Sequence, residues 1–247
     1  MLEIVKILLL PVAFIYSMIT RVRNWLFDKN IFHAVKVDAK VISVGNLTVG
    51  GSGKTPAVMM IAETLKAEKK KVGLLSRGYG RSSVGYVFAS DGISMNASVD
   101  QCGDEMYFMA DELKLPAAVA ERRVSGAKHF ISDSKVETIV LDDAFQHRWI
   151  HRDLDIVIFD QRFLDKSRQR EQRILPLGSM REQFDTLERA DIIIINRKFS
   201  DKIEIPEKLQ KYFNGKIVFT GYYQPVGIFD VKTHHYFGME EFQGQKS

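Results

Sequence analysis

The chain has 247 residues with 35 Lys+Arg against 31 Asp+Glu, and a formal charge of +4 excludes both a disordered polyelectrolyte and a general nucleic-acid-binding surface. At 45% hydrophobic and 27% charged it is an ordinary folded body, long enough to bury a large α/β core without disulfide or metal staples. The single thiol, Cys102, has no partner for an internal disulfide and no second cysteine for a zinc site, which points to a reducing compartment.

The first 40 residues hold six Lys or Arg against three Asp or Glu, so most of the net positive charge lies there. An apolar run over 7–16 is followed by Arg21, Arg23 and Trp25. The run is well short of the roughly 20 residues a bilayer span needs, and no small-residue cleavage site follows it. This pattern predicts a membrane-associated helix over 1–30, lying in or dipping into a membrane face. The alternative is a helix packed on the protein's own core.

Past residue 38, apolar runs alternate with polar helical stretches. They predict strands at 40–44, 71–75, 85–88, 138–141, 155–159, 191–195 and 216–220, with helices at 54–69, 104–113 and 126–132. Short strands apolar on both sides and separated by helices imply an α/β fold, a parallel sheet covered by helices on both faces. The core is expected over 38–200, with a second small lobe beginning at 201.

The first strand runs into Gly45-Asn46-Leu47-Thr48-Val49-Gly50-Gly51-Ser52-Gly53-Lys54-Thr55-Pro56. A glycine-rich turn leaves backbone N–H groups free to surround phosphate oxygens, and the helix that follows adds its positive N-terminal dipole. The cradle is Thr48, Val49, Gly50, Gly51, Ser52, Gly53, Lys54 and Thr55, with Lys54 reaching the outer phosphates and the Thr55 hydroxyl on Mg²⁺. The full P-loop pattern has a glycine where this chain has Thr48, so the fit is to GGSGKT alone. The fold is therefore expected to be P-loop NTPase-like. The strand at 138–141 ends in Asp142 and Asp143, at the sheet edge where open α/β folds bind ligands, and at least one of them is expected to hold the metal directly or through water.

Other residues read two ways. Asp104 opens a predicted helix and is either its N-cap or an acid/base group. Ser76-Arg77-Gly78-Tyr79-Gly80 either shapes an acceptor pocket or ends a strand, and Gln146 and His147 are structural or functional. Asn196 lacks the aspartate that a guanine-reading motif places two residues after Lys198, and His234-His235 has no acidic neighbours for metal chemistry.

Taken in order, Gly45 to Pro56, then Leu75-Ser76-Arg77-Gly78-Tyr79-Gly80-Arg81, Gly103-Asp104-Glu105, Leu141-Asp142-Asp143-Ala144-Phe145-Gln146-His147 and Ile174-Leu175-Pro176-Leu177-Gly178-Ser179-Met180-Arg181-Glu182 resemble the tetraacyldisaccharide 4'-kinase family of lipid A synthesis. That family usually has glycine at Ala144 and often threonine at Ser52, both small changes. The resemblance implies transfer of the ATP γ-phosphoryl group, with Mg²⁺, to the 4'-hydroxyl of a lipid-linked acylated disaccharide 1-phosphate. The place implied is the cytoplasmic face of a Gram-negative inner membrane, with the chain attached peripherally or monotopically, as a monomer and without nucleic acid. Asp104 then matches the family's acid/base aspartate, and Glu105 is a supporting contact or outer metal ligand. Arg123 and Arg181 match arginines near the transferred phosphate, with Arg122 one place away from the first match.

A membrane-associated P-loop ATPase regulator of the ParA/MinD type is the competing class, but it does not carry the Asp104 and Asp142 motifs. The family's later Gly-Ile-Ala-Asn-Pro and Asp-His-His segments have no counterpart before Ser247. The expectation is a shortened, weakly active member with an incomplete second lobe, with 221–247 poorly packed and His235 no substitute for the family histidine that pairs with the acid/base aspartate.

Overall fold

The computed structural model describes residues 2–198, 205–224, 226–230, 232–233 and 235–242. In chain order the elements are α1 (Leu2–Asp28), β1 (Lys40–Gly45), α2 (Lys54–Ala67), β2 (Val72–Ser76), β3 (Val87–Asp91), α3 (Val99–Cys102), α4 (Asp104–Leu113) and β4 (Pro116–Val119). They continue with α5 (Arg123–Ser134), β5 (Thr138–Asp142), β6 (Leu154–Asp160), α6 (Gln161–Leu164), β7 (Ile192–Asn196), α7 (Glu207–Phe213), β8 (Ile217–Gly221), β9 (Gly227–Asp230) and β10 (His235–Gly238).

Among the described residues, eight strands pair in the order β3-β4-β2-β5-β1-β6-β7-β8. All neighbours are parallel except β3, which runs antiparallel to β4 at the edge. The side-chain alternation of β5 shows why both faces must be covered. Val140 enters a core with Val58, Leu74, Met106 and Met109 from the α2 and α4 side, whereas Ile139 and Leu141 enter another with Phe130 of α5. A third, aromatic core packs Phe159, Phe163, Phe184 and Phe213 beyond β6 and β7.

The seven expected strands are all present. The sequence reading misses β4, whose Pro-Ala-Ala-Val run lacks the bulky branched pattern of a strand, although Ala117, Ala118 and Val119 are wholly buried. β8 lies beyond residue 200 yet adds to the edge of the same sheet, while β9 and β10 form a separate antiparallel ribbon. In that ribbon the His235 ring lies 4.4 Å from Phe237, and Ile228, Phe229 and Tyr236 are exposed. The junction at 199–204, His234 and the last residues 243–247 lie outside the described residues.

The N-terminal apolar run is longer as a helix than its sequence suggests. α1 has 27 residues, and Ile7–Asp28 is long and apolar enough, by length and composition, to cross a membrane. The expectation that it falls well short of a span is corrected: Ser17, Thr20 and the residues beyond break the apolar run without breaking the helix. Its polarity is inverted relative to a core helix. The face turned to the protein is Ala13, Tyr16, Ser17, Thr20, Arg23, Asn24 and Phe27, while Leu8, Phe14, Ile15, Ile19 and Trp25 are exposed. At its foot Phe27 packs edge-on to Trp149 and Phe32, with ring centroids 4.9 and 5.4 Å away, and the Arg148 guanidinium covers the Phe27 ring.

Candidate active site

β1 lies between β5 and β6, so its C-terminal end opens at the middle of the sheet, where the following loop can face both neighbours. Gly45 closes the strand because a Cβ there would come within 2.8 Å of the Phe145 backbone nitrogen. The loop is tied across its own mouth by the buried Asn46, whose Nδ2 donates to Ser52 Oγ at 2.8 Å and to Thr48 Oγ1 at 3.4 Å. Its outer edge is braced by 179–181: Val49 N–H donates to the Ser179 carbonyl at 2.8 Å and Arg181 N–H to the Leu47 carbonyl at 2.7 Å. Gly50 and Gly51 face open space, leaving the backbone accessible to a ligand. The cradle Thr48 to Thr55 is thus held on both sides before α2 starts at Lys54.

Gly53 is left-handed, at φ 89°, and a Cβ on it would sit 2.1 Å from Asn196 Nδ2. That amide also donates to Tyr223 Oη at 2.8 Å and lies 3.4 Å from the Ser52 carbonyl, so β7 clamps the loop. Gly53→Ala forces a strained φ and displaces the clamp. It is expected to weaken binding of a fluorescent ATP analogue at least tenfold, about 1–3 kcal/mol of strain, and unchanged affinity in the titration would contradict this account of the loop.

The acidic partners come from β5. Asp142 is its last residue, only 4% exposed, and Oδ1 is buried with no hydrogen-bond partner, while Ser76 Oγ stands 3.5 Å from Oδ2. Burial, then the negative charges of Asp143 and Glu105, push its carboxyl up to about 6, against the pull of Lys54 and Arg123. Asp143 turns out of the strand with φ 48°, a conformation that short polar residues tolerate. The turn puts its carboxylate 3.7 Å from Lys54 Nζ and within 2.8 and 2.9 Å of Arg181 NH1. The two aspartates therefore face different partners, because of the left-handed turn at Asp143 and not through the alternation of an extended strand.

These groups line one cleft of about 730 Å³ with Arg77, Arg123, Gln146 and His147. Arg123 is 4% exposed; burial pulls its guanidinium down to about 10, with the Arg77 charge adding to the effect, and its Nε is buried without a partner. Arg122, one place earlier, is exposed and lines a separate groove with His129, so Arg123 is the one the cleft contains. His147 is held neutral, pushed down to about 4 by burial and then by Arg123, and its Nε2 is also buried without a partner.

The Gly103-Asp104-Glu105 segment divides. Glu105 lines the cleft, whereas Asp104 is exposed beside it at the start of α4, with Oδ1 accepting from the Glu105 N–H at 2.9 Å. Gly103, not Asp104, is the residue at the N-cap. Thr55 lines an adjoining space of about 360 Å³ over the loop, with Lys198 and Tyr223. No group of three or more His, Cys, Asp or Glu among the described residues is placed to hold a metal alone. The orphaned Asp142 oxygen, Asp143 and the Thr55 hydroxyl nevertheless fit Mg²⁺, which keeps few protein ligands and completes its shell with phosphate and water.

Sequence reasoning missed Tyr16 and Thr20 of α1, gave the buried Glu182 no role of its own, and set Arg23 at the membrane interface or toward a substrate phosphate, whereas all four line the cleft. The spacing of Ala13, Tyr16, Thr20, Arg23 and Phe27 was a usable signal, because it marks one helical face.

A family model described as Tetraacyldisaccharide-1-P 4'-kinase matches residues 5–240. Tetraacyldisaccharide 4'-kinase of Aquifex aeolicus (strain VF5) is 39% identical over 212 residues, covering 85% of this chain and 62% of the relative. That of Pelodictyon phaeoclathratiforme is 38% identical over 209 residues, covering 82% of this chain and 56% of the relative. The chain thus spans roughly three fifths of the length of these curated relatives. A crystal structure of LpxK from Aquifex aeolicus in complex with ATP superposes with a TM-score of 0.80 at 33% identity, covering 98% of this chain and 72% of that one. The match runs through α1, the phosphate loop, the two aspartates and the Arg181-Glu182 brace alike, and on that footing the chain belongs to the tetraacyldisaccharide-1-P 4'-kinase family.

Proposed function

We propose that the chain transfers the γ-phosphoryl group of ATP to the 4'-hydroxyl of a tetraacyldisaccharide 1-phosphate, a step of lipid A synthesis, at the cytoplasmic face of the inner membrane. The observation that carries this is a pair of buried atoms on side chains of opposite charge in one cleft, Asp142 Oδ1 and Arg123 Nε, each without a partner among the described residues, beside a phosphate loop. Buried polar atoms without partners need a reason. A metal-bound polyphosphate supplies one, with a cation for the carboxylate and phosphate oxygens for the guanidinium. Family membership favours this reading over the regulatory ATPase.

The backbone of 48–55 and Lys54 hold the outer phosphates, with Asn46 and Asn196 keeping the loop in shape. Thr55, Asp142 and Asp143, with Glu105 behind them, would hold Mg²⁺, which neutralises charge on the β- and γ-phosphate oxygens when bound. Lys54 leaves Asp143 for phosphate as ATP enters. Arg123 and Arg181 stabilise the charge that spreads over the transferred group. Asp104 takes the proton of the 4'-hydroxyl as its oxygen bonds to phosphorus and the bond to ADP breaks. The acceptor's acyl chains stay in the bilayer while its sugar enters between α1 and the body. The inverted polarity of α1 supports this entry, because its apolar side faces outward while Tyr16, Thr20 and Arg23 on its other side line the cleft. The chain works as a monomer in this scheme.

The test is ATP consumption by the full chain in mixed detergent micelles. Turnover that requires an acylated disaccharide 1-phosphate supports the proposal, and turnover that is indifferent to it but stimulated by a protein partner returns the regulator reading. The membrane contact has its own expected result. Leu8, Phe14 and Ile15 are 69%, 69% and 51% exposed. Burying side chains of this size in lipid contributes about 1.5–3 kcal/mol each. Changing all three to serine should lower the bound fraction in a vesicle sedimentation assay at least tenfold without altering nucleotide affinity, and undiminished vesicle binding would place the contact elsewhere.

A further inference from the structure

Arg148 bonds the Asn24 carbonyl and the Asp28 carboxylate at the foot of α1, but five side chains higher on its polar face converge on one short segment of the body. Tyr16 Oη donates to the Arg181 carbonyl at 3.0 Å, Ser17 Oγ accepts from Gln183 Nε2 at 3.2 Å, and Arg21 bonds the Gln183 side chain. Asn24 Nδ2 donates to Glu182 Oε1 at 2.9 Å, and Arg23 NH2 donates to the same oxygen at 2.5 Å. All of these land on 181–183. Glu182 is the centre of the cluster: its side chain is 1% exposed, and its other oxygen accepts from Arg189 NH2 at 2.7 Å. Arg189 is itself stacked over the Phe145 ring at 4.5 Å. One buried carboxylate thus holds two guanidiniums, one on α1 and one on the body.

The neighbouring residue reaches the reaction centre. Arg181 donates its N–H to Leu47 in the phosphate loop, receives Tyr16 on its carbonyl, and holds Asp143 with its guanidinium. A displacement of α1 therefore has a direct mechanical route to the loop edge and to the Arg181–Asp143 pair. The route runs through backbone and charge-assisted bonds, which tolerate little slack.

We propose that Glu182 is a positioning residue that makes the seating of α1 part of the catalytic geometry, so that the helix meeting the membrane and the groups meeting phosphate are set together. This rests on the kinase reading of the cleft. Removing the negative charge leaves Arg23 and Arg189 facing each other without a counter-ion in a buried space, whereas removing Arg23 as well leaves Arg189 alone on a neutral amide. Glu182→Gln is thus expected to be worse than Arg23→Gln/Glu182→Gln, although the double variant has lost more groups.

The experiment uses the full chain, first without nucleotide or acceptor. Hydrogen exchange is followed at α1 and at the amides of Val49 and Arg181, whose bonds to Ser179 and Leu47 define the brace. In Glu182→Gln both regions should exchange about tenfold faster or more, with partial recovery in the double variant. In the transfer assay kcat should fall at least tenfold while KM for ATP stays within about twofold, since the Asn46 and Asn196 ties still hold the phosphate cradle and only the brace at 179–181 loosens. Faster exchange in α1 with Val49 and Arg181 unchanged overturns the coupling, as does a Glu182→Gln variant with normal kcat. A wild-type chain without transfer counts against the kinase reading alone, because the exchange comparison needs no substrate and still decides the coupling.

Discussion

Lys54→Ala is expected to lower phosphoryl transfer by roughly 10²–10³-fold at saturating ATP, about 3–4 kcal/mol of transition-state stabilisation. The magnitude follows from its place. The ammonium is the one positive charge that α2 puts at the open end of the glycine cradle, and it rests 3.7 Å from Asp143. On the proposed mechanism, charge on the transferred group would be neutralised there in a partly buried cleft, where a fixed cation is worth more than in water. The variant should stay folded. Lys54 belongs to no apolar cluster, and Ala57 and Val58, the first residues of α2 that do, are untouched. A thermal melt shifted by no more than a few degrees, together with the lost turnover, would separate the two effects. Near-normal turnover would mean that the nucleotide is held elsewhere.

The second large effect is expected at Asp104. Alanine there should reduce kcat by about 10²–10⁴-fold while leaving the affinity for ATP within about twofold, because a general base acts only as the acceptor hydroxyl attacks. The structure sharpens this split. Glu105 lines the cleft beside Asp142, whereas Asp104 is exposed outside the cleft wall and, among the described residues, its side chain bonds the Glu105 N–H. On the proposed mechanism it would meet an incoming acceptor rather than nucleotide. Isothermal titration with a non-hydrolysable ATP analogue, paired with steady-state kinetics, reads both quantities. An equal loss of nucleotide binding would make Asp104 a support for the start of α4 or a metal ligand.

What could be read from sequence differs from residue to residue for physical reasons. The phosphate loop was legible because strand, glycine turn, Lys54 and the helix start are contiguous, and short-range chemistry suffices. Asp142 and Asp143 were legible as a strand-end pair, but their division of labour was not. It depends on the left-handed turn at Asp143 and on Arg181, 38 residues later. The one-place ambiguity between Arg122 and Arg123 vanishes in three dimensions, because Arg122 is the exposed N-cap residue of α5 and lines a separate groove, whereas Arg123 is buried and lines the cleft.

α1 shows the opposite case. Its face was written in the spacing of Ala13, Tyr16, Thr20, Arg23 and Phe27, but the usual rule turns the apolar side inward. Here the polar side is inward, since the body offers it Glu182, Gln183 and backbone carbonyls. Those partners lie some 160 residues away, as the separations of 158, 165 and 166 record, and no local pattern announces them. β4 was missed for a simpler reason, because a strand buried on both faces beneath helices can be built from alanine.

The central claim is that this cleft moves phosphate from ATP to an acylated disaccharide. It is tested most directly by incubating the full chain with γ-labelled ATP, Mg²⁺ and tetraacyldisaccharide 1-phosphate in detergent micelles, and then locating the label on the lipid. The account predicts one new phosphate monoester at the 4'-position, formed in step with ADP and absent with Lys54→Ala. Label released only as inorganic phosphate, with the disaccharide recovered unchanged, would contradict it.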